Sequence, residues 1–194
     1  MRLSSHDGNS PDPLMRPAFG NADRVRRLIW NVCHALLFRW TPAPCHGYRC
    51  ALLRLFGAKI GDSNFIYPSA RVWAPWLLET ADVVTLGPHT EIYNPGGVRL
   101  GHHTIISQGA YLCGATHDYN KPSFDYVKKP ITTEPYVWIC ARAIVLPGVH
   151  CAVGSVLGAG GVISRTMEPW TVYSGNPAAA RGQRRKFEVN AAGQ

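Results

Sequence analysis

Residues 137–163, VWICARAIVLPGVHCAVGSVLGAGGVI, return a small or aliphatic apolar residue every six positions, at Ile139, Val145, Cys151, Leu157 and Ile163. Upstream the same spacing runs through Ile60, Ile66, Val72 and Leu78, then Leu86 and Ile92, then Leu100, Ile106 and Leu112, with short insertions between the sets. A helix of period 3.6 cannot keep a six-residue stripe on one face, and an alternating strand has no need of glycine at a fixed phase. Glycine nevertheless follows the aliphatic residue at once in Ile60-Gly61, Leu86-Gly87, Leu100-Gly101 and Leu157-Gly158. A small residue comes four positions after it at Ala70, Thr90, Gly96, Thr104, Ala110, Thr116, Ala143, Ser155 and Gly161. Short extended segments joined by tight turns satisfy both patterns. Three hexads then close one triangular coil of about 18 residues, with the apolar residue of each step stacked along the axis. The expected fold is an all-β solenoid, a parallel β-helix of hexapeptide repeats, with glycine supplying unusual backbone angles near the corners. Cys140 and Ala152 stand where glycine is expected and Cys151 fills an aliphatic slot; all are small enough to fit.

The 194 residues suffice for one good-sized core, and 46% hydrophobic against 16% charged residues argues for a folded chain. A formal charge of +8 suggests anionic company: nucleic acid, a phosphate-bearing cofactor or an acidic membrane surface. Without an RNP-type aromatic motif or zinc-finger spacing, nucleic acid is the weakest of the three. The basic residues gather in RVRR at 24–27 and RGQRRK at 181–186. Six cysteines include no CxxC pair, and no secretory leader opens the chain, so free thiols in a reducing cytoplasm are expected.

The chain divides into a polar, flexible arm (1–22), a helical segment (23–57), the solenoid (58–168) and a C-terminal segment with a short helix (169–194). In the helical segment Val25, Leu28, Ile29, Val32, Leu36 and Trp40 recur at three- and four-residue steps, opposite Arg24, Arg27, Asn31 and His34. Interrupted by Asn31, His34 and Arg39, this run falls short of the ~20 apolar residues a membrane span needs. Its tryptophans and flanking arginines suit a helix lying in a lipid interface, at the inner face of the membrane; packing on the protein or on a neighbouring subunit is the other reading.

One stretch breaks the period. GATHDYNKPSFDYVKKPI, residues 114–131, leaves the rhythm at His117 and rejoins it after about Thr132, as an insertion of 117–132. Loops on a rigid scaffold commonly carry chemistry, and this one holds His117, Asp118, Tyr119, Asn120, Lys121, Asp125, Tyr126, Lys128 and Lys129. A histidine held at the last step of the wall suits a general base, with Asp118, Glu91, Glu134 or a backbone carbonyl fixing its tautomer. No metal set competes, since His102 and His103 are adjacent and point apart on a strand, while His89, His117 and His150 lie in different coils. No GxSxG elbow surrounds any serine.

ISQGAYLCGATHDY, VWICARAIVLPGVHCAVGSVLGAGGVISR and YSGNPAAARG together closely resemble the hexapeptide-repeat O-acetyltransferases of the left-handed β-helix fold. The likeness extends over about residues 24–186 and is greatest to the branch acting on colanic acid and nodulation factors. It implies a homotrimer of prisms with acetyl-CoA in the groove between neighbours, and His117 as the base that takes a proton from an acceptor hydroxyl, with Asp118 beside it. The family's cofactor positions map to Trp138, Ala141, Ala159, Ser164, Arg165, Asn176 and Pro177, with Arg165 and Arg181 facing phosphates. Tyr93, Asn94 and Tyr119 map to the acceptor side, and the acceptor implied is a sugar or glycolipid hydroxyl in exopolysaccharide or glycolipid biosynthesis. Serine or a xenobiotic hydroxyl is the alternative acceptor, and a non-catalytic or metal-bound β-helix the alternative class.

Overall fold

The computed structural model describes residues 19–187, so the expected arm falls outside the described residues except for its last four. From Lys59 the chain winds as a three-faced coil whose strands pair in parallel with those one turn away. The first face carries Lys59–Ile60, Leu78–Thr80, Val98–Leu100, Ile131–Thr133 and His150–Cys151. The second carries Phe65–Ile66, Thr85–Leu86, Ile105–Ile106, Trp138–Ile139 and Val156–Leu157, and is extended by Thr171–Gly175 and Ala178–Gln183. The third carries Arg71–Val72, Glu91–Tyr93, Tyr111–Cys113, Ile144–Val145 and Val162–Ile163. Five coils are complete and Thr171–Gly175 begins a sixth.

Every residue of the six-residue rhythm is buried, from Ile60 to Ile163. Two columns follow the expected phase: Ile66, Leu86, Ile106, Ile139 and Leu157 on the second face, and Val72, Ile92, Leu112, Val145 and Ile163 on the third. Each fully buried member contributes roughly 1.5–3 kcal/mol. Leu78 misses its slot: the first-face column runs Ile60, Thr80, Leu100, Thr133, Cys151, and Leu78 pairs with Val98 instead. The extra residues lie at the corner between third and first faces, where a 3-10 turn, Pro75–Leu77, lengthens the first coil by two positions. The large excursion leaves from this same corner two coils later.

The role of glycine differs from the expectation. Left-handed backbone falls three positions after the inward residue, at His89 (φ 57°), His103 (φ 53°) and Arg142 (φ 56°) as well as at Gly109, Gly154 and Gly160. Glycine directly after the inward residue serves close approach: a Cβ on Gly101 would lie 2.5 Å from the carbonyl carbon of Glu134 in the next coil.

Helices α1 (Asn21–Cys33), extended by a π turn at His34–Phe38, and α2 (His46–Leu55) close the first coil. With no coil beneath it, that coil leaves carbonyls without partners, and buried carbonyls need donors. Arg54 Nε donates to Ile60 O (3.0 Å), Arg49 Nε to Ile66 O (2.6 Å) and Trp30 Nε1 to Val72 O (2.7 Å), while His34 Nε2 lies 3.0 Å from Ala70 O. Arg49 is fully buried, and its remaining donors reach Thr41 Oγ1 and the carbonyls of Pro42 and Ala43. The face that packs α1 down is therefore Trp30, His34 and Phe38. The expected apolar stripe faces outward: Val25, Leu28, Ile29, Val32, Leu36 and Trp40 are each more than half exposed.

At the other end, Ala178–Gln183 is not the expected helix but a strand, antiparallel to Thr171–Gly175. Gly175 (φ 98°) turns the chain back, and the returning strand pairs with an edge that a helix would have left open. The remainder of the expected C-terminal helix, beyond residue 187, lies outside the described residues.

Candidate active site

The excursion leaves the wall at Gly114, three residues earlier than the sequence suggests, as a hairpin of Ala115–His117 and Tyr126–Lys128. His117 is thus not the last residue of the wall but the last of the outgoing strand, paired with Tyr126. Beyond it the loop is braced by its two aspartates. Asp118 Oδ1 accepts from Asn120 N–H (3.1 Å), Asp118 N–H donates to Asp125 O (2.9 Å), and Lys121 Nζ donates to Asp125 Oδ2 (2.9 Å).

This bracing brings the carbonyl of Phe124, a residue at φ 43°, to 2.6 Å from His117 Nδ1. A carbonyl only accepts, so Nδ1 carries the proton and Nε2 is left with the lone pair. Of the candidate tautomer partners, the backbone carbonyl is the one observed. Asp118 is occupied by its own turn, and its expected place beside the imidazole is corrected accordingly. Glu134 holds His150 Nε2 (3.2 Å) and Val153 N–H (2.8 Å).

Around the imidazole lies an aromatic cluster. The Tyr126 ring is 5.4 Å from that of His117, and its hydroxyl lies 2.6 Å from that of Tyr93. Trp73 packs edge-on against Tyr93 (5.4 Å), and Phe19 bridges Trp73 (5.0 Å) and Tyr126 (5.4 Å). Arg27, paired with Asp23 (2.9 Å), lies over Trp73 at 4.5 Å. Burial, and next the bond to Tyr93, hold the Tyr126 hydroxyl above the ordinary phenol range, so it stays protonated as a hydrogen-bonding group. Trp73, Phe19, Arg27 and Phe124 were not expected here. A signal existed for one of them: Trp73, Tyr93 and Cys113 each directly follow an inward residue of the third face, at the corner from which the hairpin departs.

The other expected site residues scatter. Tyr93 joins the cluster, and Tyr119 is exposed on the loop. Asn94 does not face a substrate: it is fully buried, its Oδ1 accepting from Ala74 N–H (3.0 Å) and its Nδ2 donating to Ala74 O (2.9 Å). Trp138 stands on the second face with Nε1 donating to Ser107 Oγ (2.8 Å). Ala141, Ala159, Asn176 and Pro177 line the edge between second and third faces. Ser164 and Arg165 follow the third face, two coils above the departure of the hairpin, and Arg165 Nη2 donates to Ala178 O (3.3 Å). One chain therefore carries His117 and the small-residue edge at different corners of the prism.

No family model matches the chain. Over 169 residues it is 35% identical to WcaF of Escherichia coli (strain K12), a protein named for acetyl transfer in colanic acid biosynthesis, covering 87% of this chain and 92% of that one. Among solved structures, a hexapeptide-repeat acetyltransferase from Vibrio cholerae complexed with acetyl coenzyme A superposes with a TM-score of 0.73 at 20% identity, covering 85% and 88% of the two chains. A galactoside acetyltransferase in complex with coenzyme A gives 0.75 at 18% identity, covering 87% and 86%.

Proposed function

The chain belongs to the hexapeptide-repeat acetyltransferases, of left-handed β-helix fold, and on that premise we propose that it transfers acetyl from acetyl-CoA to a sugar hydroxyl, as a homotrimer. The observation that carries the reading is the imidazole at the excursion, with its Nδ1 proton held by Phe124 and its Nε2 making no hydrogen bond among the described residues. Acetyl-CoA supplies the acetyl group as a thioester. His117 Nε2 takes the proton of the acceptor hydroxyl as that oxygen bonds to the acetyl carbon and the sulfur departs; such a base is worth about 10²–10⁴ in rate. The free thiols suit a reducing compartment, and the cytoplasm is the proposed setting. A role in exopolysaccharide or glycolipid biosynthesis draws support from the likeness to WcaF.

The residues fit such a co-substrate. Along the edge between second and third faces Ala159 and Gly160 are exposed, and a Cβ on Gly160 would meet nothing within 4 Å, leaving backbone open to a flexible chain. Arg142 and Arg181 are exposed cations suited to phosphates. Because this edge and His117 occupy different corners, a site using both takes one from each of two protomers. The second face offers a contact surface: Phe65, Thr85, Ile105 and Trp138 stack in register, and the three apolar side chains are each more than 40% exposed.

The test mixes two inactive variants. His117→Ala lacks the base and Ala159→Trp blocks the groove. Unfolded and refolded together in equal amounts, they should regain roughly a quarter of wild-type sites, where an intact histidine meets an intact groove. Galactosides, serine and chloramphenicol would be compared as acceptors. No recovery on mixing would refute a shared site, and preference for serine or chloramphenicol would refute the sugar.

A further inference from the structure

Helix α1 presents two unrelated apolar faces, and only one is used by the fold. Its outward stripe adds Leu37 to the six residues already named and includes no acidic group. Beside the line Leu28, Val32, Leu36 runs a second line, Asn31, Ala35, Arg39, and this one borders a cavity of about 540 Å³ between α1 and the third face of the first two coils. Trp30 and Trp73 form its apolar walls, with Arg39, Arg71 and His89 as basic lining and Glu91, in register with Arg71 on the next strand, as the single carboxylate among the described lining residues. Both arginines are exposed, and among the described residues neither makes a side-chain hydrogen bond or ion pair. His34, also in the lining, has its charged form disfavoured first by burial, with its bond to Ala70 O acting the other way, and both arginines border the same cavity. Over residues 21–57 six arginines face one aspartate, a net of +5 (6 − 1), and Asp23 is spent on Arg27.

We propose that this cavity binds the phosphate end of a lipid-linked saccharide, with the outward stripe of α1 seated in the surrounding lipid. Two arginines on one cavity lining, neither engaged by a carboxylate among the described residues, suit a phosphate as a charge-assisted, forked contact between indole walls. An apolar stripe flanked by arginines and tryptophan lies in a headgroup boundary without spanning it, and among the described residues no helix is long and apolar enough to cross a membrane. Trp73 lines the cavity and also packs on Tyr93, which is bonded to Tyr126 beside His117. The saccharide then extends from the phosphate over Trp73 toward the imidazole. The inference rests on the acetyltransferase reading and names its substrate class.

Flotation of the full chain tests it, with vesicles of phosphatidylcholine alone, with polyprenyl phosphate, and with phosphatidylglycerol at matched surface charge. Wild type should prefer polyprenyl phosphate to phosphatidylglycerol. Arg39→Gln and Arg71→Gln should each erode that preference about tenfold, the worth of one charge-assisted bond. Ile29→Ser and Leu36→Glu, both on exposed positions, should abolish flotation while leaving circular dichroism unchanged. Equal binding to both anionic lipids that ignores the arginines, absence of flotation, or a change of oligomeric state on Leu36→Glu would each overturn the proposal. The assay contains no acetyl-CoA. Failure here therefore leaves recovery of activity by the mixed His117 and Ala159 variants intact, and failure of that recovery leaves lipid selectivity intact.

Discussion

Replacing His117 and Asp118 separately distinguishes a carbonyl-oriented base from a carboxylate-oriented one. His117 lies exposed on a hairpin strand, so His117→Ala removes the base at little cost to the fold. The expected loss is about 10²–10⁴ in kcat, or roughly 2.7–5.5 kcal/mol at 1.36 kcal/mol per decade. If Asp118 oriented the imidazole as the aspartate of a triad does, Asp118→Asn would cost on the order of 10⁴. In the structure the Asp118 carboxylate instead accepts from Asn120 N–H and lies 3.8 Å from Lys121 Nζ, while Phe124 O takes the Nδ1 proton. Asparagine keeps the oxygen that caps the turn, so Asp118→Asn should retain activity within about tenfold, the weight of one neutral-for-charged hydrogen bond. Coenzyme A release followed with a thiol reagent measures kcat, and calorimetry confirms that His117→Ala still binds coenzyme A. An Asp118→Asn loss equal to that of His117→Ala would refute the assignment of Phe124, and unchanged turnover in His117→Ala would refute the base itself.

Two stability predictions concern the wall. Arg49→Ala removes a fully buried guanidinium that donates to Ile66 O, Pro42 O, Ala43 O and Thr41 Oγ1. Ile66 O keeps His46 and Pro42 O keeps the Cys45 N–H, so two acceptors lose their donor; at about 1–3 kcal/mol each the loss is at least ~2 kcal/mol, or a fall of roughly 4–8 °C in Tm by calorimetry. A fall under about 3 °C would show that water reaches those acceptors. Gly101→Ala forces a Cβ against Glu134 of the next coil and should cost about 1–3 kcal/mol, whereas Gly182→Ala, which meets nothing within 4 Å, should stay within about 0.5 kcal/mol. Equal denaturant midpoints for the two variants would refute close coil approach as the reason for the glycine.

The sequence alone settled the coil, because a six-residue period has one economical backbone solution and every inward residue of that rhythm proved buried. It also marked the excursion, since a polar insertion is visible against a regular repeat. The tertiary structure decided what depends on partners distant in sequence. Leu78 lost its slot to Thr80 because register is set by pairing between coils, which a local count across an insertion misreads. Phe124 displaced Asp118 because a backbone carbonyl carries no residue-specific signature, and a turn alone brings it to the imidazole. The orientation of α1 was settled by the unpaired carbonyls of the first coil, which drew Trp30 and His34 inward and left the longer apolar stripe facing out. The separation of His117 from Ala141 and Ala159 is likewise a matter of which corner each occupies, a fact of winding that no linear spacing records.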